Sequence, residues 1–374
     1  MPAILISISI LFGSVFRQWM VRDVSKHNYD AKKLQDVLIK CAVFTPQSRI
    51  LDLGWTGKSL FSQCGIILPH LIFIGDDIRE VRACEETGLT ARHLASPIEI
   101  DIEQRFDMAF YHPEGHATKG QVFHWIDAVF EKLKVGGHFF FSGQKDRGVL
   151  SYVKYIESVF THVERVGRSG RMQYFEAIKK SKTSGVTPQI NHQMFEVSDL
   201  PGGNFQFITQ DGVFSRDGID PGSRLLLEHV SIAPEAQVFD VGCGYGLLGV
   251  VCARLAQRGQ VWLSDVSMRA VTCATENVVR NQITNAQVAV GDLYENVGET
   301  QLDLIVSNPP FHEGNKTAWP LIDGAIERLN ANGALMLVVM RAGPYIKRMD
   351  AVFGQVEICA EEGGYTVLKG QKKN

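Results

Sequence analysis

The strongest constraint on this chain is that it repeats itself. Asp52 and Asp240 stand 188 positions apart, and so do Asp77 and Asp265. Asp107 and Asp303 stand 196 apart, as do Gly137 and Gly333. Two constant offsets separated by one length change are hard to obtain by chance, so the chain reads as two copies of one unit. In the first copy, residues 49–54 run as a strand into a glycine turn, 71–77 end in acids, and 106–111 lead to His112-Pro113-Glu114-Gly115. A helix follows over about 121–133, then Gly136-Gly137 and an apolar strand at 138–142. The second copy gives strands at 237–242, 261–265 and 302–307, a helix at 322–329, Asn332-Gly333, and a strand at 334–340. Strands alternating with helices imply a parallel sheet. The expected fold class is α/β, two tandem Rossmann-like domains from internal duplication, with the N-terminal copy degenerate.

At 374 residues, 45% apolar and 21% charged, the chain has the length for two domains and the balance of a soluble globular protein. Its net charge of −3 excludes a strong global pull toward nucleic acid or anionic membrane. The distribution says more. Residues 1–185 carry a balance of +4 and residues 186–374 one of −7, so a polyanion should meet the N-terminal half first. Residues 145–182 alone hold nine basic side chains against four acidic ones. The stretch 179–189, with Ser, Thr, Gly and Pro, reads as the interdomain linker. Seven dispersed cysteines with no C-x-x-C spacing imply reduced thiols in a cytosolic protein and no zinc site.

Residues 4–16 are apolar but short for a membrane span. No basic residue precedes them and no small-x-small cleavage site follows, which argues against a signal peptide. A packed or loosely attached segment is favoured, a mis-assigned start codon comes next, and export last. A helix is expected at 29–45, with Leu34, Val37, Leu38 and Cys41 on one face.

The chemistry gathers in the second copy. Leu304-Ile305-Val306-Ser307 is a short apolar strand stopped by Asn308-Pro309-Pro310-Phe311. Two prolines cannot continue a ladder of N–H donors, so Asn308 and Phe311 sit at a strand's carboxyl end, where open α/β sheets bind ligands. An amide, two rigid prolines and an aromatic ring suit a planar substrate bearing an amino group. Taken alone, the motif reads equally well as a Pro-rich turn. His312, just beyond it, is as easily a structural hydrogen-bonder as a base and is assigned no proton transfer.

Asp240-Val-Gly242-Cys-Gly244-Tyr-Gly246 follows a strand and opens a helix. Its G-x-G-x-G spacing differs from the dinucleotide fingerprint. An acid two residues before the first glycine would repel a pyrophosphate and suit a cation such as a sulfonium amino acid. Asp265, about 20 residues after the glycines, stands where an acid takes ribose hydroxyls; the bland alternative is a helix cap before Ser267. Asp292, at another strand end, is placed to accept from an adenine amino group or simply to make a turn. Phe214-Ser215-Arg216 lies in a polar loop before a helix expected at 224–230, with Ser223 or Gly222 as its cap. That loop is expected to cover the cofactor or bring Arg216 to a substrate phosphate.

In this order, these motifs resemble a class I S-adenosylmethionine-dependent methyltransferase acting on an exocyclic amino group. With Gly212-Val-Phe214-Ser-Arg-Asp-Gly-Ile-Asp220, Gly222-Ser and the duplication, the chain resembles the bacterial ribosomal RNA guanine-N2 methyltransferases of the small-subunit methyltransferase C type. The resemblance is close over about 195–345, weaker over 30–180 and absent over 1–25. It implies S-adenosyl-L-methionine as cofactor, with Gly242, Gly244 and Gly246 lining it, Asp265 on its ribose and Asp292 at its adenine. It implies that Asn308, Pro309, Pro310 and Phe311 form the catalytic clamp on the guanine. Asp240 and Asn308 join the expected cofactor contacts, and Phe214, Ser215, Arg216 and Phe311 the substrate contacts.

The N-terminal copy departs from that pattern. Thr56 replaces the middle glycine, Trp55 follows the first, and His112 to Gly115 stand where the clamp should be. It is expected to be a scaffold and RNA-docking surface without catalysis. The expected domains are therefore 1–25, an apolar segment; 26–182, the degenerate copy; and 183–374, the catalytic copy. A cytoplasmic monomer acting on ribosomal RNA within the small subunit, with no membrane partner, is expected. Alternatives are a large-subunit guanine-N2 enzyme, a protein glutamine or DNA adenine N-methyltransferase, and, last, a non-enzymatic RNA-binding assembly factor.

Overall fold

The structure is a computed structural model that describes residues 45, 47–55, 58–63, 68–101, 103, 105–114, 117–181, 188–310 and 315–373. The apolar segment at 4–16 and the helix expected at 29–45 lie outside the described residues, except for Thr45. The chain divides into two compact units at Gln189 and Ile190, with the short stretch Asp76–Arg79 grouped with the second.

The first unit holds strands β1 (Ile50–Trp55), β2 (Leu71–Gly75), β3 (Thr90–His93), β4 (Phe106–His112), β5 (Leu133–Gln144), β6 (Val163–Ser169) and β7 (Met172–Ile178). They form one sheet in the order β3-β2-β1-β4-β5-β7-β6. The second unit opens with a hairpin, β8 (His192–Leu200) and β9 (Gly203–Gln210). Its main sheet holds β10 (Gln237–Val241), β11 (Gln260–Asp265), β12 (Ala286–Val290), β13 (Leu302–Ser307), β14 (Leu329–Val339), β15 (Val356–Glu362) and β16 (Tyr365–Gln371). The order is β12-β11-β10-β13-β14-β16-β15, the same as in the first unit. In both sheets the first five strands are parallel and the last two pair antiparallel.

The matched residues do matched work. Asp107 Oδ2 accepts from the Arg49 amide at 2.8 Å, and Asp303 Oδ2 accepts from the Gln237 amide at 2.8 Å. Each acid thereby fastens the start of its unit's central strand to the next one. A Cβ on Gly137 would lie 2.8 Å from the Lys134 carbonyl oxygen, and one on Gly333 would lie 2.7 Å from that of Leu302. Both glycines permit a backbone approach that no larger residue allows.

Several elements escaped the sequence reading: β3, the β6–β7 and β15–β16 pairs, and the β8–β9 hairpin. Their apolar residues do not alternate cleanly, and antiparallel edge pairs are set by what they pack on. The hairpin is held from outside itself. Asn277, fully buried, accepts from the Ile208 amide at 2.7 Å and donates to the carbonyls of Ile208 and Tyr245 at 2.9 and 2.8 Å. Phe205 and Phe207 of β9 pack into the core that continues through Leu248, Val251 and Leu263.

Candidate active site

In the second sheet the chain runs outward from β10 to β12, then returns to β13 on the other side of β10. The carboxyl ends of β10 and β13 therefore flank the switch point where such sheets bind ligands. A cavity of about 390 Å3 opens there, within the roughly 300–1,000 Å3 range of small-molecule sites.

The glycine loop forms its floor. The amides of Gly242 and Cys243 both donate to the Ser264 carbonyl, at 2.8 and 3.0 Å, which seats the loop on β11. Gly242 and Gly244 have φ of +71° and +55°, and a Cβ on either would meet nothing within 4 Å. Gly246 differs from the expectation. It does not line the cavity, and a Cβ there would lie 3.1 Å from that of Ala274, so its smallness serves packing under the helix Leu247–Leu255.

Asp240 is almost wholly buried beneath this loop. Its Oδ2 accepts from the Gly249 amide at 2.8 Å, while Oδ1 is buried without a hydrogen-bond partner. Burial pushes its carboxyl up to about 7, and the nearby Asp265 adds to the rise. Asp265 lies half-buried at the end of β11. It accepts from the amides of Gly244 and Ser267, both at 2.9 Å. Burial raises it to about 6, against the lowering effect of those two amides. The helix cap is Ser267, whose hydroxyl accepts from Ala270. Asp292 also lines the cavity, half-buried.

Asn308 follows β13, which is anchored at its end by the Ser307 hydroxyl donating to the Val241 carbonyl at 2.6 Å. The Asn308 side-chain nitrogen donates to Asp220 Oδ2 and Ser223 Oγ, each at 2.9 Å. Its Oδ1 is buried and has no partner. Asn308, Pro309 and Pro310 all line the cavity, while Phe311 and His312 lie outside the described residues.

The polar loop divides. Phe214, 56% exposed, and Ser215 line the cavity. Arg216 does not; its guanidinium is held by Asp211 and Asp217. Those two carboxylates offset its charge, so the expected phosphate contact has no geometric support here. The helix starts earlier than expected, at Pro221–His229, and its cap is Asp220, not Ser223 or Gly222. Asp-Pro at N-cap and N1 is the signal that could have revealed this. Asp220 and Tyr365, whose hydroxyl donates to Asp220 Oδ1 at 3.3 Å, were both missed as members of the site. No local signal marks Tyr365, which arrives from β16.

The equivalent positions in the first copy are already satisfied from close by in the sequence. Asp52 accepts from the Ser59 hydroxyl at 2.6 Å and from the Gly54 amide at 3.0 Å. Asp77 is forked by the Arg79 guanidinium, with contacts of 2.6 to 3.1 Å. His112 hydrogen-bonds Ser142 at 3.0 Å, and burial pushes its imidazole down to about 4.

Sheet order, glycine loop and strand-end amide together define a methyltransferase of the small-domain class, and the family model described as methyltransferase small domain matches residues 204–369. Ribosomal RNA small subunit methyltransferase C of Escherichia coli strain SMS-3-5 is 33% identical over 293 residues, covering 76% of this chain and 80% of that protein. Its namesake from Serratia proteamaculans is 33% identical over 245 residues, covering 64% and 68%. The chain belongs to the ribosomal RNA small subunit methyltransferase C family. The fold matches that of the Thermus thermophilus 16S rRNA N2 G1207 methyltransferase, solved with AdoMet and guanosine, with a TM-score of 0.81 over 93% of both chains at 24% identity.

Proposed function

We propose that this enzyme transfers a methyl group from S-adenosyl-L-methionine to the exocyclic N2 of a guanine in small-subunit ribosomal RNA. The single observation that carries the reading is the buried, unpartnered carbonyl of Asn308, a residue that lines the same cavity as the glycine loop and two acids. A buried acceptor left without a donor is costly unless a ligand supplies one.

The donor set fits the cofactor. Gly242 and Gly244 let its backbone-facing side approach the loop. Asp240 Oδ1 is a free acceptor for a cationic amino-acid portion, Asp265 takes ribose hydroxyls, and Asp292 meets the adenine amino group. When bound, the cofactor supplies an electrophilic methyl group on sulfur.

The chain's own residues handle the nucleophile. The guanine N2 lone pair is delocalised into the ring and is a poor nucleophile. Asn308 Oδ1 and the Pro309 carbonyl accept its two N–H groups and favour a pyramidal nitrogen. Phe311 and the exposed Phe214 stack on the base, which must first leave its helix. Positioning and fixed dipoles supply the rate.

The N-terminal unit is assigned scaffold and RNA docking. Lys145, Arg147, Arg168 and Arg171 are all exposed near the end of β5 and the β6–β7 turn, and the Lys145 amide donates to the Arg171 carbonyl at 3.0 Å. Removing one phosphate-binding cation should make the log–log salt slope of RNA binding shallower by about 0.7–0.9. Neutralising Lys145, Arg147 and Arg168 together should make it shallower by about 2–3, and an unchanged slope would remove this patch from the RNA contact.

The substrate in this reading is RNA within the small subunit, and the enzyme acts as a cytoplasmic monomer. No helix among the described residues is long and apolar enough to cross a membrane. The direct test is transfer of labelled methyl groups to small ribosomal subunits, with bare ribosomal RNA in parallel. If neither takes label, the substrate is misassigned.

A further inference from the structure

We infer that Asp220 is a positioning residue that sets which end of the Asn308 amide faces the cavity, an inference that rests on the reading of Asn308 Oδ1 as the acceptor for the substrate amino group. A primary amide has two orientations related by a half-turn. One offers its oxygen to the cavity and the other its two N–H donors. A carboxylate only accepts hydrogen bonds, so beside Asp220 Oδ2, at 2.9 Å, the amide nitrogen must face the acid. The Ser223 hydroxyl takes the second N–H at 2.9 Å. With both hydrogens engaged, Oδ1 is turned the other way, where it is buried and unpartnered. In the flipped state two donors would confront the two N–H groups of a guanine amino group.

Asp220 is itself held rigidly. It is buried, caps the helix Pro221–His229 by accepting from the Ser223 amide at 2.8 Å, and receives the Tyr365 hydroxyl at 3.3 Å on its other oxygen. Gly222 makes that meeting possible. A Cβ there would lie 2.5 Å from Tyr365 Cδ1 and 3.0 Å from Asp220 Oδ2. The helix cap, the β16 tyrosine and the strand-end amide thus converge on one carboxylate.

Capping alone would also explain an aspartate at this position, so the test separates the two roles in the full-length enzyme. Asp220→Ser keeps an oxygen that caps the helix but is too short to reach Asn308. Asp220→Asn keeps a carbonyl that reaches both. Asp220→Ser is expected to melt within a few degrees of wild type and bind S-adenosylmethionine unchanged, with kcat on small subunits lowered at least tenfold. Asp220→Asn should recover most of that loss. Ser223→Ala leaves the capping amide in place and removes only the hydroxyl, so it should lower kcat severalfold without a stability change, and it serves if Asp220→Ser does not fold. Wild-type kcat in Asp220→Ser, or in Ser223→Ala where it stands in, overturns the inference. Asn308→Ala is the control for the underlying reading. If it is inactive while Asp220→Ser is fully active, only the role of Asp220 fails; if Asn308→Ala is itself active, the reading of Asn308 fails.

Discussion

Asp265 accepts a hydrogen bond from the amide of Gly244 at 2.9 Å, so the acid at the end of β11 and the middle glycine of the β10 turn form one unit. A ribose hydroxyl reaching Asp265 therefore meets an acceptor whose orientation is set by the loop that borders the rest of the cavity. Asp265→Ala should weaken S-adenosylmethionine binding by roughly 10–150-fold, the equivalent of about 1.5–3 kcal/mol for hydrogen bonds to a charged group. Isothermal titration checks this, and an unchanged Kd would remove Asp265 from the cofactor site.

Asn308→Ala removes the unpartnered acceptor and leaves the glycine loop untouched. Cofactor affinity should stay within a few-fold of wild type, while methyl transfer falls by about 100-fold or more, the scale of losing one preorganised dipole at a reacting centre. Labelled-methyl transfer and titration on the same preparation separate the two effects. Full activity would sink the assignment.

The two cavity acids give a pH dependence with a definite sign. Asp240 is raised to about 7 and Asp265 to about 6, both chiefly by burial. The cofactor-free fold therefore holds protons that the unfolded chain releases near its ordinary carboxyl values. Their contribution to stability is fully present below about pH 4 and is lost as pH rises through 6 to 7. A cationic ligand favours the ionised acids, so binding releases protons and affinity should rise across the same window. Titrations in buffers of different ionisation enthalpy at pH 6 and 8 would reveal the release. Asp240→Asn should flatten the upper part of the profile.

Asn277→Ala cuts two hydrogen bonds to Ile208 of the β8–β9 hairpin and a third to the Tyr245 carbonyl of the glycine loop. The buried backbone groups of Ile208 and the Tyr245 carbonyl would be left unsatisfied, at about 1–3 kcal/mol each before relaxation. The variant should lose several degrees in Tm and become sensitive to proteolysis between Ile190 and Gln210. Wild-type melting and proteolysis would show that the hairpin does not depend on Asn277 and is held by its aromatic packing and by the Asn281 bonds to Gln206, at 2.9 and 2.7 Å.

The first copy is expected not to bind the cofactor, because its acids are already occupied. Ser59 occupies Asp52 where the second copy has Leu247 at the same offset, and Arg79 occupies Asp77 where the second copy has Ser267. Titration of the wild-type chain should show one S-adenosylmethionine bound per chain. A second equivalent would point to the first copy.

Much of this was legible in the chain because duplication supplies its own control. The offsets of 188 and 196 located the paired strands, and Asp107 and Asp303 prove to fasten equivalent strand starts. The β13 strand, at 302–307, was read to the residue because prolines stop it sharply. The β6–β7, β8–β9 and β15–β16 pairs were missed although Gly170, Pro201-Gly202 and Gly363-Gly364 mark their two-residue turns; the strands on either side lack the clean apolar alternation that would have drawn attention to them. The sequence suggests that the polar loop covers the cofactor or brings Arg216 to a substrate phosphate, whereas Asp211 and the adjacent Asp217 hold its guanidinium. Nothing in its neighbours reveals that the chain folds Asp211 against it.

The sequence by itself determined the two copies, the glycine turn, the acids after it and the amide at the end of β13. These are local patterns, enforced by backbone sterics and by apolar periodicity. Only the tertiary structure decided which way the Asn308 amide faces. That depends on Asp220, 88 residues earlier, and on Tyr365, 57 residues later, meeting at one carboxylate. A hydrogen bond requires position and direction together, and between distant residues both are properties of the packed fold.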